Sequence, residues 1–182
     1  SSDRVLLEVR NLTVDYVGDY SVARAVNGID FDIREGEAFG LAGESGCGKS
    51  TIAFALARLT RLPGLVSGGE VRLNGEDVLK FDKARRKAYR WNEVSFVFQS
   101  AMNALNPVIP VSEQIMDVIE THQPELGKEG ARARAVELFE LVGIPSGRLD
   151  DFPHQFSGGM RQRICIAIAL ALKPRLIIMD EP

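Results

Sequence analysis

The octapeptide Gly43-Glu44-Ser45-Gly46-Cys47-Gly48-Lys49-Ser50 fits the pattern G-x-x-x-x-G-K-[S/T]. An apolar run at residues 38–42 precedes it, and a helical pattern over residues 49–59 follows it. A glycine loop between a strand and a helix directs backbone N–H groups and the positive end of the helix dipole at phosphate oxygens. The sequence therefore predicts a nucleotide-phosphate site in an α/β fold.

The residues of this loop have separate expected roles. Lys49 is expected to reach the β- and γ-phosphates, and the hydroxyl of Ser50 is expected to ligate Mg²⁺. Cys47 occupies a variable position of the pattern, and we interpret it as a residue that only fills that position; a packing role and sensitivity to oxidation stay open, and the sequence gives little support to a redox switch. The predicted nucleotide-binding residues of this region are Gly43, Glu44, Ser45, Gly46, Cys47, Gly48, Lys49, Ser50 and Thr51.

Composition narrows the possible classes of protein. The 182 residues suit one domain, and a hydrophobic fraction of 45% is enough for a sizeable core. The net charge of -3 provides no overall basic field for nucleic acid or an anionic membrane. The longest apolar run, residues 164–172, is far shorter than the roughly 20 residues that span a bilayer. We therefore expect a chain that does not cross a membrane by itself.

The two cysteines and the two ends of the chain add further expectations. Cys47 and Cys165 lie far apart in the sequence, which favours a reducing compartment over a disulfide framework. The chain begins with Ser1 instead of methionine, and it stops at Pro182 directly after a strand-like run. Because domains seldom end within a sheet, we expect a C-terminally truncated fragment.

Short mixed segments and continuous apolar segments predict two kinds of strand. The mixed segments, residues 6–9, 25–33 and 70–73, predict a small antiparallel layer, with a turn at Asn74-Gly75 and a loop at residues 63–69. Continuously apolar segments are typical of parallel strands that are covered on both faces. These segments are residues 38–42, 94–98 and 176–179.

Residues 111–172 show mainly helical periodicity. Ile115 and Ile119 form one apolar stripe, and Ala135, Leu138, Phe139 and Val142 form another before Gly143. The pattern predicts a helical insert within the α/β domain.

Two acids follow the apolar run at residues 176–179. Asp180 and Glu181 would emerge at the carboxyl edge of a buried strand, where nucleotide sites lie in open α/β sheets. We expect Asp180 to hold magnesium through a water and Glu181 to polarise a water for attack on the γ-phosphate.

Three motifs together resemble the nucleotide-binding domain of ATP-binding cassette (ABC) proteins. Residues 43–50 resemble the family's Walker A motif and residues 176–181 its Walker B motif. Phe156-Ser157-Gly158-Gly159-Met160 resembles its signature, usually Leu-Ser-Gly-Gly-Gln. The resemblance implies a P-loop NTPase fold with a RecA-like parallel core, an antiparallel β-subdomain and a helical subdomain. It assigns the core and β-subdomain to residues 1–99 and 173–182, and the helical subdomain to residues 100–172.

The resemblance also assigns roles outside the two Walker motifs. Ser157 and the backbone of Gly158 and Gly159 are expected to face the γ-phosphate of ATP held by a second subunit. That role accounts for paired glycines at a helix start, although glycine has a low helix propensity and costs about 1 kcal/mol relative to alanine in a helix interior. Gln99 matches the glutamine that contacts magnesium and water. Tyr16 matches the aromatic residue that stacks on adenine, with Tyr20 as its rival.

Residues 98–108 and 153–163 resemble the oligopeptide, dipeptide and nickel importer branch of the family. This resemblance implies an ATPase motor, with ATP and Mg²⁺ as cofactors, at the cytoplasmic face of the cell membrane. Its implied partners are a second ABC ATPase subunit, identical or related, and transmembrane permease subunits. An external substrate-binding protein would act indirectly, and no nucleic-acid partner is expected.

Other functions remain open from the sequence. A DNA-repair or chromosome-organising ATPase would typically carry a long coiled coil between Gln99 and Ser157, yet these residues are only 58 positions apart. A noncatalytic ATP-binding fragment is a further alternative, because Glu181 is next to last and we expect weak hydrolysis. A simple P-loop kinase would not need the signature. The basic residues Lys80, Lys83, Arg85, Arg86, Lys87 and Arg90 are interpreted as a solvated helix face.

Overall fold

The computed structural model describes residues 3–44, 46–97 and 104–180, and for Trp91 it describes the backbone alone. The chain forms two compact units, Ser1–Arg90 and Trp91–Pro182. The subdomain boundaries inferred from the sequence, residues 1–99 with 173–182 and residues 100–172, stay a prediction.

The first unit is built on a four-stranded antiparallel sheet with the order β2-β1-β3-β4. Along β1, apolar side chains alternate with polar ones, as expected of a strand with one buried face. Leu7, Val9, Leu12 and Val14 are completely buried and form the centre of this unit's core. The predicted antiparallel layer is confirmed, with strands β1 (Val5–Val17), β2 (Val22–Arg34), β3 (Gly64–Leu73) and β4 (Glu76–Asp77).

The third strand begins earlier than the sequence predicts. Asn74 and Gly75 form the predicted tight turn to β4, with φ angles of 54° and 86°. The predicted loop at residues 63–69 is wrong, because β3 starts at Gly64, which pairs with Tyr16 of β1. The glycines of this segment suggested a loop, but backbone hydrogen bonds to β1 extend the strand through them.

The predicted strand at residues 38–42 is also wrong. This segment has no regular secondary structure, and Phe39 and Leu41 are each 40% exposed. Phe39 stacks on Phe31 of β2, with ring centroids 5.0 Å apart. A β-strand requires a hydrogen-bonded neighbour, and no strand among the described residues of this unit pairs with the segment.

Two helices complete the first unit, α1 (Lys49–Leu56) and α2 (Lys83–Ala88). Helix α1 is shorter than the predicted 49–59, because Arg58 adopts the left-handed conformation with φ 58°. The amide of Leu59 donates to the carbonyl of Phe54 at 2.8 Å, and the amide of Arg58 donates to that of Ala55 at 3.1 Å. These two bonds form a Schellman motif, which ends the helix.

Over its described residues, the second unit combines two parallel strands with three α-helices. Strands β5 (Val94–Val97) and β6 (Leu176–Met179) pair in register from Val94 with Leu176 to Val97 with Met179. The predicted strand at residues 176–179 is confirmed, and the strand predicted at 94–98 is confirmed over its described residues. The predicted helical region is confirmed as well, with α3 (Val111–His122), α4 (Gly127–Leu141) and α5 (Gly158–Ala171).

The helices of the second unit pack around a shared apolar core. Ile115 and Ile119 of α3 and Leu138 and Phe139 of α4 are buried almost completely, as their predicted stripes required. At the surface, Arg132 donates hydrogen bonds of 3.0 and 2.6 Å to the carboxylate of Asp150. This ion pair, with a further hydrogen bond from Ser112, lowers the pKa of Asp150 to about 2. No helix within the described ranges is long and apolar enough to cross a bilayer.

Candidate functional site

The phosphate loop (residues 43–50) turns directly into α1. Gly48 is the residue before the helix and has φ 97°, in the left-handed region that glycine adopts without strain. A Cβ at this position would lie 2.9 Å from the carbonyl oxygen of Ala25. Both observations require glycine at position 48. The second glycine of the phosphate-loop pattern is therefore explained by the lack of space for a side chain.

The start of α1 carries positive potential that its own first turn does not neutralise. No acidic side chain lies in that turn, so the positive end of the helix dipole remains available to an anion. Lys49 is half-buried, and its ammonium group donates a hydrogen bond to the carbonyl of Gly43. A neutral carbonyl is a weaker partner for an ammonium group than a phosphate oxygen, so this lysine is suited to bind phosphate.

Cys47 packs across the same loop. A Cβ on Gly43 would lie 2.5 Å from the sulfur of Cys47, and the amide of Cys47 donates to the carbonyl of Glu44 at 3.2 Å. The thiol thus lies close to Gly43 although Cys47 is exposed, and the interpretation of Cys47 as a residue that only fills its position stays a prediction.

Tyr16 lies beside the phosphate loop. Its hydroxyl is 3.0 Å from the hydroxyl of Thr51, in the first turn of α1. The ring is 41% exposed. It lines a cleft of about 220 Å³, whose other lining residues are Thr51, Phe54, Leu59, Thr60, Arg61 and Gly64. Tyr20 is fully exposed at the turn between β1 and β2, so Tyr16 is the tyrosine that the first unit brings to the loop.

In the second unit, the signature turn (residues 156–160) opens α5. Ser157 precedes the helix, and its hydroxyl oxygen accepts a hydrogen bond of 3.2 Å from the amide of Met160. Ser157 and Gly159 are exposed, Gly158 is half-buried, and no acidic side chain lies in the first turn. The turn therefore presents a second helix start at the surface of its unit, with amides available to an anion.

Arg148, which the sequence analysis did not identify, supports the signature turn. Its guanidinium lies 4.5 Å above the ring of Phe156, which is only 4% exposed. It also donates a hydrogen bond of 2.7 Å to the carbonyl of Gln155 and one of 2.9 Å to the carboxylate of Asp151. The spacing of Arg148 and Asp151 is typical of any exposed helical ion pair, so only the three-dimensional structure reveals this contact.

Asp180 directly follows β6. Its amide donates a hydrogen bond of 3.0 Å to the carbonyl of Val97, and the residue is half-buried. The carboxylate thus lies at the carboxyl end of the parallel pair, as predicted. The predicted site residues Ser45, Gln99 and Glu181 lie outside the described residues.

Comparison with known proteins establishes the family. The family model described as ABC transporter matches residues 26–182. The chain belongs to the ABC transporter family. The family predicted from the three motifs is therefore confirmed.

Relatives within the ABC transporter family carry the names of peptide importers. The chain is 42% identical to the oligopeptide transport ATP-binding protein OppD of Bacillus subtilis (strain 168), over 97% of this chain and 50% of that protein. It is 46% identical to the OppD protein of Mycobacterium tuberculosis, over 97% of this chain and 29% of that protein. The chain thus spans about half or less of the length of these curated relatives.

Solved ABC transporter structures share the fold. The dimeric structure of MJ0796, described as a bacterial ABC transporter cassette, superimposes with a TM-score of 0.81 at 28% identity, over 96% of this chain and 73% of that one. A post-hydrolysis structure of the same cassette, bound to ADP and Pi, gives a TM-score of 0.80 at 28% identity, with the same coverage. The predicted fold class, an α/β ABC cassette with parallel and antiparallel sheets, is confirmed.

Proposed function

We propose that this chain binds ATP with Mg²⁺ and belongs to the ATP-driven subunit of a peptide importer. The observation that carries the proposal is the glycine loop ahead of α1, in which Gly48 has no room for a side chain and no acid opposes the helix dipole. Its identity of 42% with the B. subtilis OppD protein supports the choice of peptide as cargo.

The first unit would hold the nucleotide. The amides of the phosphate loop and the ammonium group of Lys49 would bind the phosphates, and the ring of Tyr16 would stack on adenine. Ser50, Gln99 and Asp180 are the residues proposed to hold Mg²⁺, with Asp180 acting through a water. A hydroxyl and a carboxylate suit this hard cation, which usually keeps waters and binds phosphate oxygens as well. The bound ion would neutralise charge on the phosphates.

Hydrolysis would depend on residues from two subunits. Glu181 would polarise the attacking water, and Gln99 would contact the water and the metal. Ser157, with the amides of Gly158 and Gly159, would bind the γ-phosphate of ATP held by the second subunit. This proposal requires the signature turn to be accessible, and the exposure of Ser157 and Gly159 supports it.

ATP would thus favour a closed dimer, and hydrolysis would favour its reopening, because ATP makes contacts in the closed arrangement that the open arrangement lacks. The motion would drive a permease from the cytoplasmic face of the membrane. An external binding protein would deliver the peptide to that permease.

If Tyr16, and not Tyr20, stacks on adenine, then alanine substitutions at the two positions should have different effects on ATP affinity. Tyr16→Ala should weaken ATP binding by on the order of 10-fold, because base-aromatic stacking contributes roughly 1–3 kcal/mol. Tyr20→Ala, a matched change at a fully exposed tyrosine, should have almost no effect. Titration with ATP and with inorganic triphosphate separates the two contributions, since triphosphate binding should be unaffected by either change. Equal losses for the two variants would reject Tyr16 as the stacking residue.

The transport function can be tested on the whole protein in its native membrane. A tagged copy should co-purify with integral permease subunits, and a peptide-loaded external binding protein should stimulate the ATPase rate of that complex. The Lys49→Ala variant should co-purify equally well but lack the stimulated rate. Stimulation by DNA in place of the loaded binding protein would contradict the proposal and favour a DNA-processing ATPase.

A further inference from the structure

Three arginines lie where α1 ends in the first unit. Arg58 follows that helix, whereas Arg86 belongs to α2 and Arg90 to the turn after it. The hydroxyl of Tyr89 donates a hydrogen bond of 2.7 Å to the carbonyl of Leu56, and the tyrosine is completely buried. Since Leu56 is two residues before Arg58, this bond holds the segment containing Arg86 and Arg90 against the end of α1. We refer to Arg58, Arg86 and Arg90 as the arginine cluster.

The backbone of Arg58 is strained. It occupies the position of the Schellman motif that glycine usually takes, with φ 58°. A side chain in the left-handed conformation costs about 1 kcal/mol. Glycine would end the helix without this cost, so helix termination alone does not account for an arginine here.

The charges of the cluster are poorly compensated. None of its three members forms an ion pair with another residue of the described ranges. The Nε atoms of Arg58 and Arg86 are buried and have no hydrogen-bond partner, which is unfavourable for a charged donor. The carboxylate that acts on Arg58 is that of Asp77, and Asp77 already pairs with Lys80 at 3.6 Å.

The pKa of Arg58 agrees with this arrangement. Burial lowers the pKa of its guanidinium below the usual value, and the neighbouring charge of Arg86, with that of Arg90, lowers it further, while Tyr89 and Asp77 oppose the change. Arg58 and Arg86 are half-buried and Arg90 is exposed, and like charges held close together are stabilised by an added anion. The cluster thus has both the charge and the unused donors of an anion site.

We propose that the arginine cluster binds a phosphate group, at the opposite end of α1 from the phosphate loop. A guanidinium presents a planar set of donors that matches phosphate oxygens, and a phosphate monoester carries close to two negative charges at neutral pH. Such a dianion compensates the excess charge of three arginines better than a single carboxylate does. The phosphate belongs either to a soluble phosphorylated metabolite or to a lipid headgroup.

Calorimetric titration with inorganic phosphate at constant ionic strength tests the site. The Lys49→Ala background removes binding at the phosphate loop, and in this background phosphate should still bind. Adding Arg86→Gln should weaken that binding by at least about 10-fold, as expected for the loss of a charge-assisted hydrogen bond. The matched control is Arg72→Gln, which removes the same charge from a half-exposed arginine of the same unit that pairs with Glu70 at 3.0 Å; it should change the affinity by less than about twofold.

Arg58→Gly separates binding from folding. This variant should have a melting temperature no lower than that of the parent, because glycine relieves the left-handed strain, yet it should lose phosphate binding as Arg86→Gln does. If Lys49→Ala does not fold, the parent chain should show two phosphate sites, and Arg58→Gly should remove one of them.

Two further arms identify the source of the phosphate group. Glycerol phosphate represents a soluble ligand, and phosphatidylcholine vesicles with and without phosphatidic acid represent a headgroup. Binding to either source that depends on Arg58 and Arg86 supports the site. No binding of inorganic phosphate, glycerol phosphate or phosphatidic acid, or an equal loss in Arg72→Gln, would overturn it.

Discussion

Lys49→Ala is expected to weaken ATP binding by on the order of 100-fold, because it removes the ammonium group that we propose to bind the β- and γ-phosphates. The free energy of unfolding should hardly change. In the structure the side chain is half-buried, and its ammonium group donates to the carbonyl of Gly43. Titration calorimetry with ATP and Mg²⁺, together with thermal unfolding, measures the two effects.

Lys83→Ala provides the control for a lost positive charge. Lys83 is exposed at the start of α2, in the same unit as the phosphate loop. Its removal should change ATP affinity by less than about twofold, because the charge of a solvated side chain is screened at ordinary ionic strength. If both variants lose affinity equally, ATP is attracted by the overall charge of the unit, and the proposed role of Lys49 is wrong.

Gly159→Ala is expected to weaken the proposed ATP-driven dimerisation strongly while leaving the isolated chain at least as stable. Among the described residues, no atom outside its local neighbourhood lies within 4 Å of a Cβ built on Gly159, and alanine favours a helix by up to about 1 kcal/mol. The methyl group would instead keep the γ-phosphate of ATP, held by a second subunit, away from the amides of the signature turn. Association of the variant in ATP and Mg²⁺ should weaken by on the order of 100-fold, as measured by sedimentation velocity.

Gly147→Ala is the matched control for this experiment. A Cβ on Gly147 also meets no atom of the described ranges within 4 Å, and the residue lies in the same unit, in a short 3-10 turn, Ser146–Arg148. Its alanine variant should dimerise like the parent. The role proposed for Gly159 would be rejected if its alanine variant formed the ATP dimer with unchanged affinity.

The sequence was most informative where a backbone requirement selects the residue type. Gly48 has no space for a side chain, Asn74-Gly75 adopts the turn typical of this pair, and Ser157 caps the helix that follows it. In each case the cause is local, so it can be recognised without knowing which distant segments come together. The helices of the second unit could be predicted for the same reason, since one helical period places Ile115 and Ile119 on a single buried face.

Features that depend on distant pairing could not be predicted in this way. An apolar composition at residues 38–42 predicted a strand, but composition does not supply a hydrogen-bonded neighbour. The glycines after Pro63 predicted a loop, but the segment from Gly64 pairs with β1. Arg148 was missed because its contacts with Gln155 and Phe156 depend on the packing of the turn.

The contacts of Arg148 bear on the rate at which two subunits could associate. Arg148 donates a hydrogen bond to the carbonyl of Gln155, directly before the turn, and its guanidinium stacks on the ring of Phe156. It thus restrains both the backbone and a side chain at the start of the turn. The loss of conformational entropy at this turn is therefore largely incurred during folding of the monomer. In the proposed dimer, a productive encounter would then require only the correct orientation of two preformed surfaces, with no conformational search at this turn, and this would favour rapid association in the presence of ATP.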